Sequence, residues 1–296
     1  MHAEALEHQR SQEFRLRMAE RRAGKKTRPP DLPPLPAPEV AGETILVVGD
    51  GHCHPDHPNQ RFDLLGRLIT DLQPDAVVDL GDWWDMPSLS SYEFPGSKTF
   101  EGKRYWLDIE AGIDAQERVE AQLADWNRGR RQKVAPRFVR CLGNHEERIG
   151  RVLEAEPRWS EMIGTHDLMS EEFGWEEHPH GEIVELGGVA FCHSFPSGIM
   201  GRPISGEHPA KMLIVKQHMS CVAGHSHTKD YAERNDAMGR RIQSVFVGCF
   251  FDFDLAWTTK RVNQMYSRGL LVLRDVRGGT YDFEWLSMDA LRRKYA

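Results

Sequence analysis

The sequence predicts an α/β fold in which two β-sheets pack face to face and helices cover the outside. In the first half, β-branched apolar runs alternate with a segment of helical spacing, which is typical of parallel strands joined by crossover helices. In the second half, apolar runs follow one another with mainly turn residues between them, which indicates mostly antiparallel pairing. A chain of 296 residues is long enough to bury the core that such layers need.

Residues 1–42 are predicted to be a charged N-terminal extension that precedes the folded domain, 43–296. The stretch 29–38 holds six prolines in ten positions, which is typical of a semi-rigid linker. The extension has eight Lys and Arg against six Asp and Glu, so its net charge is +2. Because the net charge of the whole chain is −7, the net charge of the domain is −9. The basic run 21–28 indicates either a contact for nucleic acid or a protein, or a solvated helix end. The proline-rich stretch could recruit a protein partner.

The first half is predicted to contain three buried strands. They are the apolar runs Thr44–Gly49, Ala76–Leu80 and Arg137–Leu142. Apolar residues at helical spacing predict the helices Asn59–Leu72, Tyr105–Trp126 and Asn144–Leu153. Because a strand, a helix and a second strand imply a right-handed crossover, these strands are expected to form a parallel sheet.

Residues 83–136 form a long insertion between the second and third strands. Long connections in compact domains usually serve function, and this one directly follows Asp82. We therefore consider two interpretations: a cap over the site mouth that contacts substrate, or a peripheral helix packed on the sheet. Of Trp83 and Trp84, we expect one to pack in the core and the other to form a pocket wall on which a base or leaving group stacks.

The second half is predicted to be built from short strands. Glu182–Leu186 and Gly188–His193 flank the Gly187-Gly188 turn, which indicates a hairpin. Further apolar runs predict strands at Met219–Ala223, Arg241–Val247, Gly269–Arg274 and Tyr281–Leu286. His178 and His180 are expected on a solvated loop.

Several classes of protein are excluded by the composition. The N-terminus is charged and no apolar run approaches the ~18 residues of a membrane span, so we expect a cytoplasmic protein without membrane contact. The five cysteines show no CxxC spacing and lie mainly in apolar runs, which predicts buried thiols rather than disulfides. Cys53 follows His52, but oxygen and imidazole donors suffice for a metal without it. The chain has no phosphate-binding GxxxxGK[ST] loop, no GxSxG elbow and no HExxH zinc motif.

The strongest functional signal is a series of five clusters of metal-seeking residues. In order they are Asp50-Gly51-His52, Gly81-Asp82-Trp83-Trp84-Asp85, Gly143-Asn144-His145-Glu146, His193, and Gly224-His225-Ser226-His227. All but His193 follow predicted buried strands, and the carboxyl ends of the strands in an open α/β sheet form the ligand crevice. If the chain stays extended through Gly51, period-two geometry projects Asp50 and His52 to the same side. The clusters together predict a hydrolytic site that holds two divalent cations.

The donor types narrow the choice of cation. Two carboxylates neutralise only half of four positive charges, so the site would still attract a phosphate oxygen. Mixed oxygen and imidazole ligation suits Mn²⁺, Fe, Zn²⁺ or Ni²⁺ rather than Ca²⁺, with Mn²⁺ favoured here. His193 is favoured over five other histidines because it ends a predicted strand beside a Ser-Phe-Pro-Ser-Gly segment. The competitors are His166, His178, His180, His208 and His218.

The series resembles the calcineurin-like metallophosphoesterase superfamily, whose motifs run D-x-H, G-D-x-x-D, G-N-H-[DE], H and G-H-x-H, and the resemblance covers roughly 44–250. It implies a four-layer α/β/β/α sandwich of two mixed sheets. It also implies the metal ligands: Asp50, His52 and His227 on the first cation, Asn144, His193 and His225 on the second, and Asp82 bridging both. By the same resemblance, His145 contacts the phosphate or protonates the leaving oxygen, and Asp85 orients its ring.

The expected activity is therefore hydrolysis of a phosphate ester. We favour a phosphodiesterase acting on small or nucleotide-type substrates. The alternatives are a DNA or RNA nuclease of the Mre11 type, for which the basic run 21–28 speaks, and a protein phosphatase. A metal-free binding scaffold is the remaining alternative, but it would be expected to lack ligands that are intact here. Whether Arg148 contacts phosphate or pairs with Glu154 on the helix surface is left open by the sequence.

Overall fold

The computed structural model describes residues 42–91 and 96–295. The predicted extension and its basic and proline-rich segments lie outside the described residues. The described part of the chain contains eleven strands: β1 (Glu43–Val48), β2 (Ala76–Asp79), β3 (Arg137–Cys141), β4 (Trp175–His178), β5 (Val184–Leu186), β6 (Val189–Cys192), β7 (Cys221–Ala223), β8 (Lys229–Asn235), β9 (Arg241–Val247), β10 (Gly269–Arg277) and β11 (Thr280–Ser287). The helices in those same ranges are α1 (Arg61–Leu72), α2 (Tyr105–Asn127), α3 (Glu147–Ala155), α4 (Pro209–Gln217), α5 (Lys260–Asn263) and α6 (Met288–Tyr295).

The first sheet has six strands in the order β11-β10-β1-β2-β3-β4. Strands β1 to β4 are mutually parallel, as the alternation of strands and helices predicts. On the other side of β1, β10 and β11 add an antiparallel pair. The last two strands of the chain thus return to the sheet that the first strand started.

The second sheet has five strands in the order β5-β6-β7-β9-β8. The β5–β6 pair is the hairpin predicted at the Gly187-Gly188 turn. The expectation of a mostly antiparallel second half is wrong for the centre of this sheet, because β6, β7 and β9 pair in parallel. The physical reason is that α4 connects β6 to β7 and so acts as a crossover, and sequence reasoning did not identify this helix.

Three buried clusters separate four layers, which confirms the predicted α/β/β/α sandwich of two mixed sheets. Side chains such as Val47, Val78 and Phe191 fill the space between the sheets. Leu46, Val77 and Phe62 belong to the cluster between the first sheet and helices α1, α2, α3 and α6. On the outer face of the second sheet, Ala190 and Cys192 of β6 pack in one cluster with Leu213 of α4. Within the described ranges, no helix has the length and apolar character needed to cross a membrane.

The long insertion contributes its helix to the outer layer. α1 and α2 cross so closely at Gly66 that an added Cβ would lie 2.7 Å from the side chain of Gln122. The indole nitrogens of Trp83 and Trp84 donate to the backbone oxygens of Gly112 and Ile109 on α2. The helical half of the insertion therefore packs as a peripheral helix. That 83–104 covers a bound substrate stays a prediction.

One histidine differs from expectation. His178 is the last residue of β4, where its ring bonds to Glu176 and Glu182, so the prediction of a solvated loop is wrong for it. β4 was missed because it is a short edge strand with only one fully buried side chain. All five cysteines are buried free thiols, as the apolar runs predict, and burial raises the pKa of Cys53 to about 12.

Arg140 of β3 is a fully buried cation beneath the loops that end the strands. It donates to Asp79 over 2.8 Å and to Gln116 of α2 over 2.8 Å. Its guanidinium carbon lies 4.8, 4.9 and 4.3 Å from the ring centroids of Trp83, Trp84 and Trp175. Burial raises the pKa of Asp79, and the charge and hydrogen bond of Arg140 oppose that rise.

Replacing Arg140 with Met is expected to destabilise the fold by about 3–5 kcal/mol, because Asp79 is left buried without its cationic partner. Denaturant unfolding measures the loss. Arg137→Met on the same strand is the matched control, because its pair with Glu176 is half exposed and such pairs contribute roughly 0–1 kcal/mol. Equal losses in the two variants would show that the buried pair has no special role.

Candidate metal centre

The predicted ligands follow strands of both sheets and converge at one edge of the sandwich. Asp50 and His52 follow β1, Asp82 follows β2, and Asn144 follows β3. His193 follows β6 of the second sheet, while His225 and His227 follow β7. Backbone bonds tie the loops together: the amide of Asp50 donates to Gly81 over 2.9 Å, and the amide of His52 donates to Asp82 over 2.8 Å.

The backbone is left-handed rather than extended at five of the seven predicted ligands. φ is 53° at Asp50, 46° at His52, 51° at Asp82, 69° at His225 and 56° at His227. The prediction that the chain stays extended through Gly51 is therefore wrong. Non-glycine residues in this region are strained by roughly 1–3 kcal/mol each, and such strain concentrates at functional sites. The side chains still converge, but through sharp turns that sequence periodicity does not reveal.

A first group of donors comprises Asp50, His52 and His227. Nε2 of His52 lies 3.2 Å from Nε2 of His227, and Oδ1 of Asp50 lies 3.1 Å from the latter atom. Oδ2 of Asp50 accepts from the backbone amide of His225 over 2.9 Å. Oδ1 is fully buried yet makes no hydrogen bond in the described structure. This unsatisfied oxygen is aimed into the space between the two rings.

A second group comprises Asp82, Asn144, His193 and His225. Nε2 of His193 lies 3.0 Å from Oδ1 of Asn144, 3.2 Å from Nδ1 of His225 and 3.4 Å from Oδ2 of Asp82. The other oxygen of Asp82 accepts from the amide of His145 over 2.9 Å. Asp82 also lies 3.9 Å from Nε2 of His52, so its carboxylate stands between the two groups.

The proton positions test whether these atoms fit cations. Nδ1 of His193 is 2.8 Å from the backbone oxygen of Leu80, and Nδ1 of His52 is 2.7 Å from the carboxylate of Asp85. Because those oxygens accept, both Nδ1 atoms carry the proton and both Nε2 atoms of the neutral rings present lone pairs. In that state Nε2 of each ring turns a lone pair towards the other nitrogen and oxygen donors of its group. This is the arrangement that a cation binds, so the residues fit a divalent metal centre.

The electrostatics agree with this interpretation. Burial alone would lower the pKa of His193, but the carboxylates of Asp82 and Asp50 raise it. Burial alone would raise the pKa of Asp82, but neighbouring imidazoles, that of His193 first, lower it. Burial lowers the pKa of His225 to about 4, which keeps that ring neutral. The pocket thus holds ionised carboxylates and a neutral imidazole, which is the state that metal ligation requires.

His145 and Asp85 lie beside the first group. Nδ1 of His145 is 2.6 Å from the backbone oxygen of Asp85 and 3.3 Å from its carboxylate. The carboxylate of Asp85 lies closer to Nδ1 of His52, at 2.7 Å, than to that of His145. Asp85 therefore contacts both rings. Burial alone would raise the pKa of Asp85, but bonds to the two imidazoles hold it well below the usual range. Burial alone would lower the pKa of His145, but Asp82 and Asp85 raise it.

Glu146 has a positioning role that sequence reasoning did not assign. It is buried, and its carboxylate accepts from the amides of Asp82 (3.0 Å), Trp84 (2.9 Å) and Gly143 (2.8 Å). Burial raises the pKa of Glu146 to about 7. The side chain joins the loop after β2 to the loop after β3. The only sequence signal was the acidic residue directly after His145.

Trp83 and Trp84 are 1% and 0% exposed, so the expectation that one of them forms a pocket wall is wrong. Both rings pack over Arg140, which lies beneath the loops. Among the competing histidines, His180 is nearest, with its ring centroid 6.1 Å from that of His193. His54 and His57 lie at the rim, where Nε2 of His54 is 3.9 Å from Asp85 and His57 stacks on Phe253 at 3.8 Å.

Gly143 forms part of the cradle around Asp82. A Cβ at this position would lie 2.1 Å from Oδ1 of Asp82 and 2.4 Å from its amide nitrogen. These contacts leave no space for a methyl group unless the carboxylate moves. The glycine is therefore required by close approach, and not by its own dihedral angle.

Gly143→Ala is expected to displace Asp82 and to weaken cation binding by at least about 10-fold, the lower bound for loss of an orienting partner. Isothermal titration with Mn²⁺ measures the affinity. Gly150→Ala in α3 is the matched control, because its Cβ would meet only the tip of Glu147 at 3.3 Å and alanine favours a helix. Unchanged affinity in Gly143→Ala would contradict the cradle.

No protein-family profile matches the chain, and no curated protein matches it significantly. Similar solved structures include a dimetal phosphatase from Danio rerio, 10% identical, which covers 84% of this chain and 97% of that one at a TM-score of 0.41. Yfce, a phosphoesterase from E. coli, is 13% identical, with 83% and 99% covered at 0.35. TT1561 of Thermus thermophilus is 11% identical, with 82% and 99% covered at 0.34. Likeness at these values does not support a conclusion about activity, which must come from the side chains of this chain.

Proposed function

We propose that this chain is a metal-dependent phosphoesterase that acts on phosphodiesters of small or nucleotide-type substrates. The observation that carries the proposal is the convergence of Asp50, Asp82, Asn144 and four imidazoles on one buried space. Asp82 stands between the two donor groups, which favours two cations rather than one. A protein phosphatase and a nuclease of the Mre11 type remain the alternative functions.

The residues proposed as ligands divide into two sets. Asp50, His52 and His227 would hold one divalent cation, Asn144, His193 and His225 the other, and Asp82 would bridge them. Nitrogen and oxygen donors without thiolates favour Mn²⁺, with Fe, Zn²⁺ and Ni²⁺ as alternatives. When bound, two such cations would polarise the phosphoryl oxygens and lower the pKa of an attacking water.

The chain's own groups would act on the leaving side of the phosphate. Nε2 of His145 lies 3.9 Å from Oδ2 of Asp82, so its ring borders the space between the donor groups. From there it would contact the phosphoryl group and protonate the leaving oxygen. Asp85 would hold the ring in place, because its backbone oxygen accepts from Nδ1 over 2.6 Å. Buried Phe251 would exclude water, since its ring lies 5.2 Å from those of His52 and His227.

Small diesters are favoured over nucleic acids, which are polymeric diesters, on electrostatic grounds. The residues after position 42 carry a charge of −9, which opposes a long polyanion but not a small one captured by the local field of the cations. The basic run 21–28 is the feature that favours a nuclease. It lies outside the described residues, so its contribution has to be measured on the full chain.

A substrate panel tests the proposal. The full chain with Mn²⁺ is assayed against bis-p-nitrophenyl phosphate, p-nitrophenyl phosphate, cyclic nucleotides and single-stranded DNA. We expect the diesters to be hydrolysed fastest and chelation to abolish the activity. Preference for the monoester would favour a phosphatase, preference for DNA would favour a nuclease, and no hydrolysis with any cation would overturn the proposal.

A further inference from the structure

Arg148 lies in the first turn of α3 and points back towards the candidate site. Its Nη2 is 3.1 Å from Nε2 of His145. Its Nη1 donates to the backbone oxygens of Asp85 over 2.8 Å and Met86 over 3.0 Å. The guanidinium is thus anchored by two backbone acceptors while one edge faces the imidazole, and within the described residues it forms no pair with Glu154.

The contact between Arg148 and His145 has a defined direction. Nδ1 of His145 carries its proton towards the backbone oxygen of Asp85, since that oxygen can only accept. A guanidinium has only donors, so Nη2–H of Arg148 points at the lone pair of Nε2. This bond occupies the ring atom that the proposed reaction directs at the substrate. A substrate oxygen that approaches Nε2 therefore comes within reach of the same N–H.

We propose that Arg148 is a further catalytic residue whose Nη2–H bonds to the leaving oxygen of the phosphodiester as the P–O bond breaks. This inference rests on the proposed function. Nη2 of Arg148 lies 3.1 Å from Nε2 of His145, so a leaving oxygen that His145 protonates would lie within reach of the same guanidinium edge. The anchored Nη1 keeps the donor in place and lowers the cost of orienting it.

The chemistry balances without proton loss from Arg148. The oxygen of water bonds to phosphorus, the bond to the leaving oxygen breaks, and that oxygen departs with the electron pair. The leaving oxygen gains a proton from Nε2 of His145, which holds that proton in the reacting state, when Nη2–H of Arg148 bonds to the leaving oxygen instead of to the ring. The attacking water gives up one proton to solvent, and solvent returns one to the ring. The guanidinium stays protonated throughout and stabilises the negative charge that develops on the leaving oxygen.

The position proposed for Arg148 predicts which diesters are the substrates. An alkoxide carries much more charge at the transition state than p-nitrophenolate, which delocalises it. A donor fixed at the leaving oxygen therefore helps diesters of sugar hydroxyls and other alcohols most. Arg148 adapts the proposed site to unactivated alkyl diesters.

The test compares Arg148→Met and Arg148→Lys with Arg158→Met, an exposed arginine paired with Glu156 near the end of α3. kcat/KM is measured for diesters that share one ester group and differ in the leaving alcohol, from p-nitrophenol to a primary alcohol. For Arg148→Met we expect a loss of about 10²–10³-fold with the alkyl leaving group, the usual effect of removing one charge-stabilising donor. With p-nitrophenol the loss should be much smaller, and added guanidinium ion should restore part of the alkyl activity. Arg148→Lys should recover little, because it lacks the planar fork.

Two further readouts separate this role from a structural one. Metal content per chain and the unfolding midpoint should match those of the parent chain in Arg148→Met. A loss that is equal for all leaving groups, or that guanidinium does not relieve, would overturn the inference and leave Arg148 as a support for Asp85 and Met86. If the parent chain hydrolyses no diester, the proposed function fails and this inference fails with it.

Discussion

His145→Ala is expected to reduce turnover by about 10²–10⁴-fold while metal content stays at the level of the parent chain. The reason is that general acid catalysis by a positioned side chain contributes on that scale. The ring borders both donor groups but is outside the proposed ligand set, and its backbone amide, which bonds to Asp82, is kept in the variant. Steady-state kinetics on a diester and elemental analysis of the purified protein provide the two measurements.

The control for this variant is His166→Ala, because that side chain is 71% exposed. It should match the parent chain in both measurements. Loss of metal from His145→Ala would mean that the ring acts as a ligand or as a support for one. Full turnover would remove His145 from the mechanism while leaving the metal centre in place.

Asp82→Asn is expected to lose both cation occupancy and activity. The substitution keeps the shape of the side chain and the acceptor for the amide of His145, but it removes the negative charge between the two donor groups. Loss of an orienting partner costs about 10–100-fold in metal affinity, so loss of a bridging carboxylate should exceed the upper figure. Metal content measured after dialysis should fall, and kcat/KM should fall with it.

Asp282→Asn serves as the control for the change of one charge, because its side chain is 81% exposed. It should leave metal content and turnover unchanged. If Asp82→Asn retained the full metal content of the parent chain, the bridging role proposed for Asp82 would be wrong. In that case Asp50, the imidazoles and the amide donors would have to hold both cations without a bridging carboxylate.

Most strands that carry the candidate site were predictable because their side chains are mainly apolar. β1, β2, β6 and β7 read as buried runs, and polar motifs begin where those runs end. β8 (Lys229–Asn235) could not be found in this way, because it is an edge strand with no fully buried residue. The contacts of Glu146 and Arg140 could not be predicted either, because they join segments that are distant in sequence. The same applies to the left-handed turns, which depend on close approach of neighbouring loops.

The contact between the guanidinium of Arg148 and the ring of His145 could not be predicted from the sequence, for a related reason. Sequence spacing places the two residues one helical turn apart, but α3 begins at Glu147, after His145. The backbone oxygens of Asp85 and Met86, more than 60 positions earlier in the chain, then orient the guanidinium. Such long-range backbone contacts leave no trace in residue type.

The left-handed dihedral angles at the candidate ligands have a consequence for handling the protein. The left-handed turns bring the ligands together only in the folded chain, so a cation at this site would bind the folded state alone. Ligand binding to the folded state alone raises stability by RT ln(1 + [L]/Kd). The melting temperature should therefore rise with the concentration of each cation. At equal concentration, the cation that binds most tightly should raise it most. Thermal denaturation after chelation and reloading would thus rank Mn²⁺, Zn²⁺, Ni²⁺ and Fe²⁺ before any substrate is identified.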